Sequence, residues 1–148
     1  MHIEVKEDDF IIENEIVAIE NIKDPDAAIS IFVGKVRKEK KLIKLFIDCY
    51  PEMAENEIQK IVQNASNRWK LNQERIIHRY GSLDPGENIV LVITTSDHRG
   101  DCYSANQFIM DFLKSEAAFW KKEIFLDKTK WVEQKVTDIS TMKDWQED

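Results

Sequence analysis

A chain of 148 residues, 43% hydrophobic and 33% charged, has the size and balance of one globular domain able to bury a core without disulfides or structural metal. Its formal net charge of -7 argues against general nucleic-acid binding, which depends on many lysines and arginines neutralising phosphates. The two cysteines, Cys49 and Cys102, stand far apart with no zinc-like spacing, and four glycines cannot furnish a P-loop or a dinucleotide-binding fingerprint.

Glu4, Glu7, Asp8 and Asp9 crowd the start where a secretory signal would be basic and then apolar, and no apolar run approaches the roughly 18 residues of a membrane span. These features predict a soluble cytoplasmic protein. In chain order, Ile3 and Val5 alternate with polar residues as in a short strand, and Phe10 to Ile22 reads as a short helix. Ala27 to Val36 and Leu42 to Ile47 are apolar, β-branched runs of strand type. Between Lys35 and Lys44 six basic residues face Glu39 alone, so an otherwise acidic chain carries one basic connection. Such a segment suits a small anionic ligand or a solvated loop.

After Pro51, the residues Met53, Ala54, Ile58, Ile61, Val62, Ala65 and Trp69 recur at helical spacing and predict one buried face. Arg75 to Tyr80 and Ile89 to Thr95 read as a hairpin around the turn Asp84, Pro85 and Gly86. A second amphipathic helix runs from about Asp101 to Glu116, with Cys102, Ala105, Phe108, Ile109, Phe112 and Leu113 on its apolar side. Phe119 to Phe125 and Lys130 to Val132 form two further strands joined at Asp127 to Thr129, and the tail from Thr137 is expected to be loose. Together these predict a single α+β domain over residues 1–148, its two long helices packed on one mixed sheet.

Two sets of residues could carry chemistry. His98 and Cys102 stand four apart near a helix start, where an imidazole and the helix dipole could activate a thiol; a packed cysteine is the plainer reading. Lys114 and Lys121 flank the apolar Phe119 and Trp120, and a lysine against such a wall loses water and becomes a better proton donor or nucleophile. Without further context they read as two surface lysines.

The context is a resemblance. FVGKVR (32–37), CYPEMAENEI (49–58), IHRYG (77–81), TTSDHR (94–99), QFIMDFLKSEAAFWKKE (107–123) and KWVE (130–133) occur in one order that resembles the large, catalytic subunit family of molybdopterin synthase, MoaE, over nearly the whole chain. The resemblance implies an α/β hammerhead: a mixed, largely antiparallel sheet with two long helices and a small β subdomain. It implies a homodimer with a small ubiquitin-like, MoaD-like subunit at each outer end, forming a heterotetramer. That partner's C-terminal Gly-Gly thiocarboxylate would supply the sulfur that turns cyclic pyranopterin monophosphate into the molybdopterin dithiolene.

No metal or cofactor is called for, and the absence of a persulfide cysteine is explained because sulfur arrives on the partner. By motif match Lys114 and Lys121 fall on the family's catalytic lysines, and Arg37 on its pocket arginine. His98 and Arg99 fall on a pair that reaches the pocket from the neighbouring subunit. Lys135, where the family carries arginine, would make a point-like phosphate contact. Two other classes stay open beside the sulfurtransferase: a non-catalytic module that grips a ubiquitin-like tail, and a hydrolase built on Cys102 and His98.

Overall fold

The computed structural model describes residues 1–20, 23–115, 118–133 and 136–147. In chain order it contains β1 (His2–Lys6), α1 (Ile12–Ile19), β2 (Ala28–Lys35), β3 (Leu42–Asp48), α2 (Pro51–Arg68), β4 (Gln73–Arg79), β5 (Gly81–Leu83), β6 (Asn88–Ser96), α3 (Arg99–Ser115), β7 (Trp120–Phe125), β8 (Thr129–Trp131) and α4 (Val136–Glu147).

The strands divide into two four-stranded sheets, ordered β1-β4-β6-β2 and β5-β3-β7-β8. This corrects the single mixed sheet read from the residue pattern; the second sheet is the small β subdomain implied by the resemblance. In the first sheet β1 runs parallel to β4 and the other pairs are antiparallel. Both of its faces are covered, so β4 and β6 are buried almost throughout instead of alternating inside and out. Ile76, Val90 and Val92 point toward α2 and α3, meeting Ile58, Ile61, Val62, Phe108 and Ile109 in the main core. Their neighbours Ile77, Leu91 and Ile93 point the other way, onto Phe10 and Ile19 at the ends of the α1 segment.

α2 starts cleanly because Pro51 occupies the first turn, where its missing N–H costs nothing. The 3.6-residue spacing then places Ala54, Ile58, Ile61, Val62 and Ala65 on one buried stripe, as expected. β2 ends in a register irregularity at Gly34/Lys35. A Cβ at Gly34 would lie 2.8 Å from Val90 Cγ1, so glycine permits the close approach of β2 to β6. Val36 is then pinned to the β5–β6 turn by backbone bonds with Glu87 and Gly86, and the chain crosses into the second sheet. The Arg75 and Ile89 strands do pair as predicted, with Gly81 at φ 91° turning the chain between them so that β5 can join β3. A third cluster, Val36, Leu45, Ile47 and Leu83, packed against Tyr80, Ile89 and Phe119, joins the two sheets.

The segment from Thr137, expected to be loose, is instead helix α4. Its tether is tertiary: Trp145 packs edge-on against Trp69 and Phe108, its indole N–H donates to Asp111 Oδ2 at 2.7 Å, and Arg68 donates to its carbonyl.

Phe108 is the hub of that arrangement, 2% exposed and in contact with Trp69, Phe112 and Trp145. Phe108→Ala should cost about 3–5 kcal/mol in urea unfolding, since neither neighbouring helix can collapse into the space. A loss below about 1 kcal/mol would mean that α4 and α2 do not close over this ring.

Candidate functional site

The second sheet builds the site. β7 pairs antiparallel with β3 so that Lys121 lies opposite Ile47 and Glu123 opposite Leu45, which puts Lys121 on the face that carries the buried cluster. Alternation sends Lys122 to the other face, its ammonium 5.6 Å from the Phe46 ring and 5.3 Å from Trp131. Just before β7, Phe119 lies flat against the His78 imidazole with 3.7 Å between ring centroids.

Lys121 is half-buried, and loss of water holds its pKa below the usual lysine range. The positive charge of Lys114 adds to that depression, while the Asp138 carboxylate opposes it. Lys114 closes α3 and forms an ion pair with Asp138 Oδ1 of α4 at 3.9 Å. The structure therefore brings both predicted lysines together from separate elements.

His78, in the IHRYG motif, is a neighbour of Lys121 that sequence reasoning did not single out. Its Nδ1 lies 2.8 Å from the Arg79 carbonyl, which can only accept, so Nδ1 carries the hydrogen and Nε2 the lone pair. Burial, reinforced by Lys121, pushes its pKa down to about 3. The imidazole is thus a neutral wall beside Lys121. The signal available in the sequence was a histidine inside a strand whose other residues are core.

The remaining basic residues fall into two places. Arg37 is exposed and follows Val36, which packs with Ile47, the register partner of Lys121. His98 and Arg99 are exposed at the opposite end of α3. Lys114 comes fifteen residues after Arg99, which at the helical rise is about 22 Å along the axis. One chain alone does not bring the HR pair to the lysines. Arg99 instead lines a depression of about 300 Å³ with Ala28, Ser30, Cys102 and Tyr103. Lys135 lies outside the described residues.

The cysteines are placed for packing. Cys102 is 2% exposed and its Sγ donates to the Thr94 carbonyl at 3.1 Å, while the backbone N–H of Cys102 donates to the His98 carbonyl. A thiol so occupied does not match the hydrolase arrangement. Burial, with the adjacent Asp48, pushes the Cys49 thiol up to about 11, which disfavours the thiolate that a nucleophile needs.

The buried imidazole makes a pH prediction. His78 titrates at about 3 when folded and near 6.5 when unfolded, so between those values the unfolded chain binds the extra proton and stability falls as pH drops. In urea titrations between these limits, wild type should lose up to about 1.4 kcal/mol per pH unit more than His78→Gln. Parallel slopes would show that His78 protonates normally in the fold.

Comparison with known proteins agrees with this architecture. Residues 5–116 match the family model described as MoaE protein. A curated molybdopterin synthase catalytic subunit from Brucella melitensis is 42% identical over 150 residues, covering 99% of this chain and 92% of that protein. One from Haemophilus ducreyi is 43% identical over 121 residues, covering 80% of each. Among solved structures, a molybdopterin biosynthesis MoaE protein from Burkholderia ambifaria superposes with a TM-score of 0.84 at 36% identity, covering 98% of this chain and 97% of that one. With its two sheets, its covering helices and its ordered motifs, the chain belongs to the MoaE family of molybdopterin synthase catalytic subunits.

Proposed function

We propose that this chain transfers sulfur from the C-terminal thiocarboxylate of a small ubiquitin-like subunit to cyclic pyranopterin monophosphate, forming the molybdopterin dithiolene in the cytoplasm. The observation that carries this reading is the meeting of Lys114 and Lys121, from α3 and β7, with Lys121 partly dehydrated against a neutral imidazole. Such a corner offers what the reaction demands. The incoming tail and the substrate phosphate are anions, and oxygen leaves carbon as sulfur arrives, so the enzyme must supply fixed positive charge and a proton.

In this reading the thiocarboxylate sulfur attacks the pterin side chain, a C–S bond forms as a C–O bond breaks, and water then releases the partner's terminal carboxylate; a second thiocarboxylated partner repeats the sequence at the adjacent carbon, since a dithiolene carries two sulfurs. Lys114 contacts the thiocarboxylate and protonates the departing oxygen. Lys121 holds the substrate's anionic or pterin oxygens; its depressed pKa makes proton exchange accessible nearer neutrality. Arg37 clamps phosphate through two parallel hydrogen bonds, with Lys135 as a weaker point charge. The distance from Arg99 to Lys114 along α3 supports a site completed by His98 and Arg99 of a second copy in a homodimer. Among the described residues no helix is long and apolar enough to cross a membrane, and both cysteines are free, which suits a reducing compartment.

Lys114→Ala and Lys121→Ala should each lower product formation by about 10²–10⁴-fold with thiocarboxylated partner and pterin substrate, while the partner still binds. Undiminished turnover in either removes that lysine from the mechanism. A mixture of Lys114→Ala and Arg99→Ala protomers should regain turnover on exchange into mixed dimers, because one of the two sites is then intact. No recovery after verified exchange would contradict a site shared between copies.

A further inference from the structure

The C-terminal helix lies against the lysine pair, and its charge has no role in the reaction outlined above. Lys121 is partly dehydrated and the more exposed Lys114 lies beside it; like charges so placed repel one another, and a dehydrated cation without a counter-charge is costly. The groups facing them come from three elements. Asp111 of α3 lies one turn before Lys114, yet its Oδ2 accepts the Trp145 indole N–H at 2.7 Å. His78 of β4 is neutral and brings no compensating charge. Asp138 of α4 is the acid whose carboxylate reaches Lys114, at 3.9 Å.

Asp138 is also the best fixed. Its carbonyl accepts the Ser115 hydroxyl at 3.1 Å, so it is tied to the last turn of α3 right beside Lys114. At the other end of α4, Trp145 locks into Trp69, Phe108 and the Arg68 guanidinium. The helix is thus held at both ends, with its acid directed at the pair.

We infer that Asp138 is a positioning residue for sulfur transfer: carried by α4, its carboxylate is the counter-charge that holds the Lys114 amine at the site and lets two like charges share it. The inference rests on Lys114 and Lys121 being the reacting groups. It assigns α4 a task in the chemistry beyond covering the core.

The direction of the effect follows whichever lysine form reacts. Removing the carboxylate makes the charged amines less favourable, so the lysine limb of the kcat–pH profile should move to lower pH in Asp138→Asn, by about half a unit to one unit for a partly exposed pair. Asp138→Glu should restore it. Asp144→Asn, which removes an exposed acid from the same helix, should leave the profile in place. If Asp138→Asn loses activity or thermal stability without moving the limb, Asp138 is merely structural and the inference fails. Labelling of Lys121 by acetic anhydride across pH, read by peptide mass spectrometry on the full chain, reports its charge state without turnover, and the Asp138 carboxylate favours its charged form. An unshifted labelling curve in Asp138→Asn overturns the inference. A shifted curve together with full turnover in Lys114→Ala upholds the counter-charge and instead refutes the proposed chemistry.

Discussion

An amine removed from water next to a second amine is the constraint around which this molecule is arranged. Lys121 meets it from β7, and the Lys114 amine from α3 makes Lys121 harder to charge. The surroundings supply what that requires. A stacked Phe119–His78 pair gives a flat, neutral wall, and the imidazole stays neutral because it is buried and lies near the Lys121 charge, although the Arg79 carbonyl that accepts its Nδ1–H favours the charged form. A carboxylate from α4, that of Asp138, lies 3.9 Å from the Lys114 amine.

The fold explains why the arrangement is stable. α3 is anchored along its length to the first sheet through Ala105, Phe108, Ile109 and Phe112, so its last turn is a fixed platform. β7 belongs to the second sheet and is registered by β3. The lysines therefore sit at the junction of two separately braced layers, which the Val36–Ile47–Leu83 cluster joins. A site between rigid elements keeps its geometry better than one on a single loop.

Much of this was legible in the sequence, and what was not had physical reasons. The stripes of α2 and α3 were plain because helical periodicity is local and strong. The existence of two sheets was not, since β3 and β7 pair across more than seventy intervening residues with no local sign of partnership. α4 was missed because the contacts that hold it are tertiary: Trp145 packs on Trp69 and Phe108, distant in the chain, and the Asp138 carbonyl accepts from Ser115. The lysines themselves were singled out by aromatic neighbours, yet only the resemblance raised them above surface residues. His78 went unassigned because its significance lies in a ring stacked on it from another sheet. The HR pair was expected at the pocket from a neighbouring subunit; within one chain it lies at the far end of α3 from Lys114.

The most direct measurement is the titration of individual lysine side chains by NMR in the intact protein. The Lys121 amine should titrate below the ordinary lysine value of 10.5. A Lys121 midpoint at or above 10.5 would contradict the dehydrated Lys121 on which the account depends.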